Sequence, residues 1–147
     1  MANVVPFSFA QELLKRTHNF TANTIKLALY TAGSGAPYST SSTAYSSGVA
    51  NEVSGTGYTT GGNTLSSPVV ANQSNVATLT FAQTQFTSAT FGAAYAVIYN
   101  NSASDKLVVV LDFGGTKSCS NGTFTITFPS TSSGTPAGTD SLISITS

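Results

Sequence analysis

Charge is what this sequence has least of. Asp, Glu, Lys and Arg make up 7% of its 147 residues, against about 25% in ordinary soluble proteins. Five cations (Lys15, Arg16, Lys26, Lys106, Lys117) balance five anions (Glu12, Glu52, Asp105, Asp112, Asp140), and neither sign is concentrated. Nucleic-acid binding is therefore not expected, because phosphate backbones are held by clustered Lys and Arg. The single cysteine, Cys119, excludes a disulfide within the chain. With His18 as the single histidine, no zinc site can be drawn, since structural zinc takes four Cys or His ligands. No run approaches the ~20 apolar residues of a membrane span. The opening "MANVVPFSFAQELLKR" lacks the charge order and apolar length of a secretory signal, so synthesis in a cytoplasm is expected.

What the chain does have is short-range apolar periodicity. Hydrophobic residues make up 40% of it, enough for a core in a single domain of this length. Ser8 and Gln11 have capping-box spacing, and "FAQELLKR" is built from helix formers. These predict a short amphipathic helix over 8–17, with Phe9 and Leu13 on one face beside Ala10 and Leu14, and Lys15 and Arg16 at its negative end. The period then drops to two. Strand-like alternation is expected in "TIKLALYT" and over 64–70, 76–81, 91–99, 107–113, 123–128 and 142–145. Turn signals separate these pieces: "NQSN", "NNSASD", "GGTKSCSNG" and "STSSGTPAGTD". Residues 32–50 carry no period and read as a long polar loop. Many short strands with one helix predict an antiparallel β-sandwich or jelly roll, with "YAVIYN" and "KLVVVLDF" as its central strands.

Motifs that could carry chemistry yield to structural readings. "NEVSGTGYTTGGNTL" places Gly55, Gly57, Gly61 and Gly62 within eight residues. A phosphate loop needs a helix N-terminus behind its glycines, and here strand-like residues and Pro68 follow. These glycines serve turns beside Tyr58. "DFGG" at 112–115 resembles a kinase metal-binding signature, but 147 residues cannot house a kinase. It reads as a strand turning at Gly114 and Gly115. His18 follows the helix and is expected to cap its end rather than act as a base. Glu52, Asp105, Asp112 and Asp140 could pair in space for acid–base work, although no spacing brings them together. Cys119 reads as a loop or edge thiol. No catalytic residue, cofactor site or metal site emerges.

Taken in order, "HNFTANTIKLALYT", "NEVSGTGYTTGGNTL" and "YNNSASDKLVVVLDFGGTKSCSNGTFTITFP" resemble a group of small structural proteins of tailed bacteriophages, cyanophages among them. The resemblance covers roughly residues 9–129. It implies a non-enzymatic virion component, a capsid decoration or cement protein that bridges coat subunits. Its partners would be the major capsid protein or other virion subunits, with self-association in the assembly. A tail or tail-fibre subunit is the alternative within virions. A carbohydrate-binding adhesin, reading glycans through Tyr38, Tyr45 and Tyr58, is the alternative from another class. In each virion case the candidate contact residues are Val4, Val5 and Phe7, in an apolar segment over 1–7 that Pro6 keeps extended.

Overall fold

Alternation over "IKLALY" forms β1, Ile25–Tyr30, and the remaining strands are laid beside or over it. The computed structural model describes residues 3–33, 35–47, 49–73, 76–129 and 142–146. β1 lies within a four-stranded antiparallel sheet of order β2-β1-β5-β6, where β2 is Asn63–Thr64, β5 is Thr84–Asn100 and β6 is Lys106–Ile126. A second antiparallel sheet, β3-β4-β7, is built from Val69–Gln73, Val76–Thr80 and Ile143–Thr146. The sheets share one core, to which Leu27, Leu29 and Ile98 come from the first and Leu79 from the second. Helix α1, Phe7–Leu14, adds Phe9 to it. The fold is thus mainly β, antiparallel and sandwich-like, with one short N-terminal helix.

Where β1, residues 93–100 of β5 and residues 107–110 of β6 lie side by side, the sheet is buried on both faces, which explains their continuous apolar runs. Leu27 and Leu29 of β1 face the second sheet, while Ala28 and Tyr30 face a separate cluster with Val97, Tyr99 and Leu107. That second cluster is covered by the segment expected to be a polar loop. Tyr38 is 6% exposed there, and Ala36, Tyr45 and Val49 pack beside it. The polar residues of 32–50 point outward while its few large side chains turn in.

Several boundaries differ from expectation for identifiable reasons. The expected strand over 64–70 is two pieces, because Ser67 takes a left-handed φ of 51° and Pro68 has no N–H for a ladder. "GGTKSCSNG" is not a connection: it lies within β6, which pairs with β5 along its length with several register shifts. Between the pairs Tyr95–Asp112 and Ala93–Lys117, residues 113–116 bulge from β6. Glycines at positive φ here permit a bulge inside a strand, where the sequence suggested its end. β6 is also not central. It is last in its sheet, and its outer edge is shielded by Tyr45 N–H donating to Asp105 O (2.8 Å) and Leu107 N–H to Thr43 O (3.1 Å). Cys119 sits in this edge strand opposite Phe91, half-buried. The turn signal "NNSASD" does separate β5 from β6; of "NQSN", Asn72 and Gln73 belong to β3 and the rest lies outside the described residues. The expected connection over 130–140 lies outside the described residues.

Among the glycines of 55–62, Gly62 is the most constrained. Its φ is +69°, and an added Cβ would overlap the Leu27 carbonyl of β1. Backbone cannot step aside as a side chain would. Gly62→Ala is therefore expected to lose at least about 2 kcal/mol in urea unfolding, from left-handed strain plus backbone overlap. Gly114 shares the φ of +69° but has nothing within 4 Å of an added Cβ. Gly114→Ala should lose only the conformational part, about 1–2 kcal/mol. Equal losses at the two sites would contradict the close approach at Gly62.

Candidate partner-contact surface

The N-terminal segment is partly engaged with its own chain. Val4 exchanges two backbone hydrogen bonds with Val110 of β6, both 2.8 Å, and its side chain is half-buried against the second cluster. Asn3 Oδ1 accepts the Asp112 N–H at 2.9 Å. The residues after Val4 are less covered: Val5 is 46% exposed and Phe7 is 75% exposed. Of the three candidate contact residues, Val4 thus closes an edge of its own sheet, while Val5 and Phe7 present apolar surface.

Helix α1 starts without the expected cap. Pro6, extended at φ −63° and ψ 144°, occupies the N-cap position and no side chain caps the first turn. Ser8 lies inside the helix, where its hydroxyl donates to the Ser42 carbonyl at 3.4 Å instead. The C-terminus closes by a Schellman motif: Arg16 N–H bonds Leu13 O (3.0 Å) and Thr17 N–H bonds Glu12 O (2.9 Å), with Arg16 at φ 60°. Arg16 therefore ends the helix through its backbone conformation. The inner face carries Phe9 and Glu12, both buried. Leu14, expected on that face, is 86% exposed. Phe7 and Leu14 are about two turns apart and so share the outer face.

Beside the helix lies an apolar groove of about 140 Å³, lined by Phe9, Leu13, Phe20, Val70, Leu79 and Ile143 among others. Its far wall leads to β3, an edge strand without a charged residue, in which Val69 is 43% and Val70 56% exposed. Helix, groove and strand edge carry the exposed large apolar side chains Phe7, Leu14, Val69 and Val70. Sequence reading missed Leu14, Val69 and Val70. The helical period alone could not place Leu14, because the face is chosen by what Phe9 and Glu12 meet.

The tyrosines proposed as glycan readers are turned inward. Tyr38 donates to or accepts from Tyr30 at 3.2 Å, and Tyr45 stacks on Tyr99 with centroids 4.2 Å apart. Tyr45 and Tyr58 hydroxyls both donate to Glu52, at 3.0 and 2.8 Å, and Gly61 N–H joins them at 2.7 Å. Burial first, and then the Glu52 carboxylate, push both phenols well above their ordinary range. This cluster anchors the glycine-rich segment to β1, where Leu29 N–H donates to Tyr58 at 3.0 Å.

The other candidate chemical groups also have structural partners. Glu52 holds tyrosines, and Asp105 accepts from Asn101 at 2.7 Å. Asp112 accepts the Gly114 N–H at 2.8 Å, and Asp140 lies outside the described residues. His18 does not cap the helix carbonyls as expected; its ring nitrogens reach Glu12 and Asn100, at 3.1 and 3.2 Å. Among the described residues, no group of three or more His, Cys, Asp or Glu could hold a metal ion. None of their helices is long and apolar enough to cross a membrane.

Removing residues 1–5 deletes the Val4–Val110 pair and the Asn3 contact. At about 0.5–1.5 kcal/mol per hydrogen bond, the truncated chain should lose about 1.5–4.5 kcal/mol in urea unfolding. A chain of unchanged stability would show that this edge pairing contributes nothing.

Set against protein-family models, curated proteins and solved structures, the chain matches none of them.

Proposed function

We propose that this protein is a non-enzymatic structural component of a tailed-bacteriophage virion, a decoration or cement protein that bridges coat subunits. The observation that carries this reading is the exposed apolar outer face of α1, with Phe7 and Leu14, beside the uncharged edge of β3. Exposed apolar patches of this kind favour burial against a partner. A chain with five cations and five anions also meets a protein surface with little charge to desolvate. The order of the three phage-like sequence segments supplies the choice of virion over other assemblies.

The mechanism is passive. Coat subunits bury Val5, Phe7 and Leu14, and binding to the assembled shell favours that shell by mass action. Copies of the chain associate with one another only as the shell arranges them. No bond is made or broken.

The double variant Phe7→Asp/Leu14→Asp tests the reading. Both side chains are solvent-facing, so the fold should survive with its melting temperature within a few degrees. Burying such a side chain contributes about 1.5–3 kcal/mol, so losing two should weaken particle binding by at least about a hundredfold. Occupancy is read by imaging particles after adding back the purified protein. Density on the capsid surface supports the cement role, and density at the tail supports the tail-subunit alternative. Unchanged occupancy by the double variant would remove the helix face from the interface.

A further inference from the structure

Five polar side chains from four segments meet beside the inner face of helix α1: Glu12, His18, Asn23, Asn100 and Lys106. The donor and acceptor assignments run in one direction through them. Asn23 Oδ1 accepts the backbone N–H of Asn19 at 2.9 Å, which fixes that oxygen's position. Asn100 Nδ2, at the end of β5, donates to the same oxygen at 2.9 Å. Asn100 therefore presents its nitrogen, and the second N–H of that group points to His18 Nδ1 at 3.2 Å. A ring nitrogen facing a donor must be bare. The imidazole proton thus sits on Nε2 and is donated to Glu12 Oε2 at 3.1 Å. Lys106 Nζ holds the other carboxylate oxygen at 3.4 Å.

The network is dry. The His18 side chain is 0% exposed and that of Glu12 is 9% exposed, and Asn100 is 0% exposed. Phe9 and Phe20 lie against the imidazole, with centroids 5.1 and 5.7 Å away. Asn100 Oδ1 is buried without a hydrogen-bond partner. An orphan acceptor of this kind costs about 1–3 kcal/mol.

A second proton on the ring has no place in this arrangement. An N–H at Nδ1 would point at the Asn100 N–H. Turning the Asn100 amide over would satisfy Nδ1 but set its oxygen against Asn23 Oδ1. The charged groups facing the ring are Glu12 from α1 and Lys106 from β6; β5 contributes the neutral Asn100, and the 15–24 segment Asn23 and Phe20. Glu12 favours the imidazolium, while burial and, more weakly, the Lys106 charge oppose it.

We propose that His18 is an acid-sensitive latch, which holds helix α1 on the sheet only as the neutral imidazole protonated on Nε2. On its inner face the helix is held by Phe9 and by Glu12, which is tied to β5 through His18 and Asn100; protonation at Nδ1 sets N–H against N–H and breaks the His18–Asn100 link in that tie. Release would uncover the groove behind Phe9 and Leu13. Burial holds the His18 pKa below the ordinary 6.5, against the opposing pull of Glu12. The folded form then binds fewer protons than the unfolded chain. Its stabilisation is complete above about 6.5 and is lost as pH falls through the folded value. This inference rests on the buried network alone and stands whether or not the chain belongs to a virion.

Nuclear magnetic resonance on the unmodified protein tests it without any variant. At pH 7.5 the imidazole nitrogen shifts should report a proton on Nε2 and a bare Nδ1, with titration below pH 6.5. Protection factors for the Lys15, Arg16 and Thr17 amides, corrected for intrinsic exchange, should fall at least tenfold between pH 7.5 and pH 5. Those of Ala96 and Ile98 in β5 should fall less. A proton on Nδ1, or helix protection that falls no more than that of β5, overturns the latch. Asn100→Asp places an acceptor opposite Nδ1 and should raise the His18 titration; if the folded variant leaves it unchanged, the proposed coupling fails.

Discussion

Two-sided burial of β1, the second half of β5 and the start of β6 is the constraint on which the rest of this structure depends. A strand apolar on both faces needs two covers, and one sheet can supply only one. The β3-β4-β7 sheet, with Phe9 of α1, covers the first face. The second is covered by irregular chain, with Tyr38, Tyr45 and Val49 as its inward side chains. Irregular chain brings unpaired backbone groups toward the core, and these must be satisfied. Here they are: Thr31 N–H bonds Asn51 O at 2.8 Å, Val53 N–H bonds Leu29 O at 2.9 Å, and Ser46 N–H bonds the Tyr38 hydroxyl at 2.9 Å. The tyrosine hydroxyls and Glu52 extend that satisfaction to the glycine-rich turn.

This arrangement also explains where apolar surface is left over. Core demand is met by the strands, the aromatic cover and the inner face of α1. Phe7, Leu14, Val69 and Val70 lie outside both clusters. Leaving large apolar groups exposed on a protein with so few charges invites association. The proposed assembly role gives that surface an occupant, and the acid-sensitive network beneath α1 bears on how firmly the helix presents it.

Legibility in the sequence tracked the range of the interaction. Local alternation identified β1, β4 and the apolar halves of β5 and β6, because period-two burial is written residue by residue. Glycines and asparagines were read as chain reversals at 114–122, yet they serve bulges in a strand that continues; the same positive-φ residues suit both. Ser8 looked like a cap because spacing shows a capping pair, whereas Pro6 decides where the helix begins. The 32–50 segment looked wholly polar because only three or four of its residues turn inward. His18 was misplaced for a different reason. Its partner Asn100 is 82 positions away, and no local pattern announces such a contact.

Native-state hydrogen exchange across the irregular cover tests the two-sided core most directly. The amides of Val53 and Tyr45, bonded to Leu29 O and Asp105 O, should be compared with those of Ala96 and Ile98 in β5. If the cover is a required face of the core, all four should open with the same free energy, that of global unfolding. Exchange of Val53 and Tyr45 at a much lower free energy, with β5 still protected, would contradict the account.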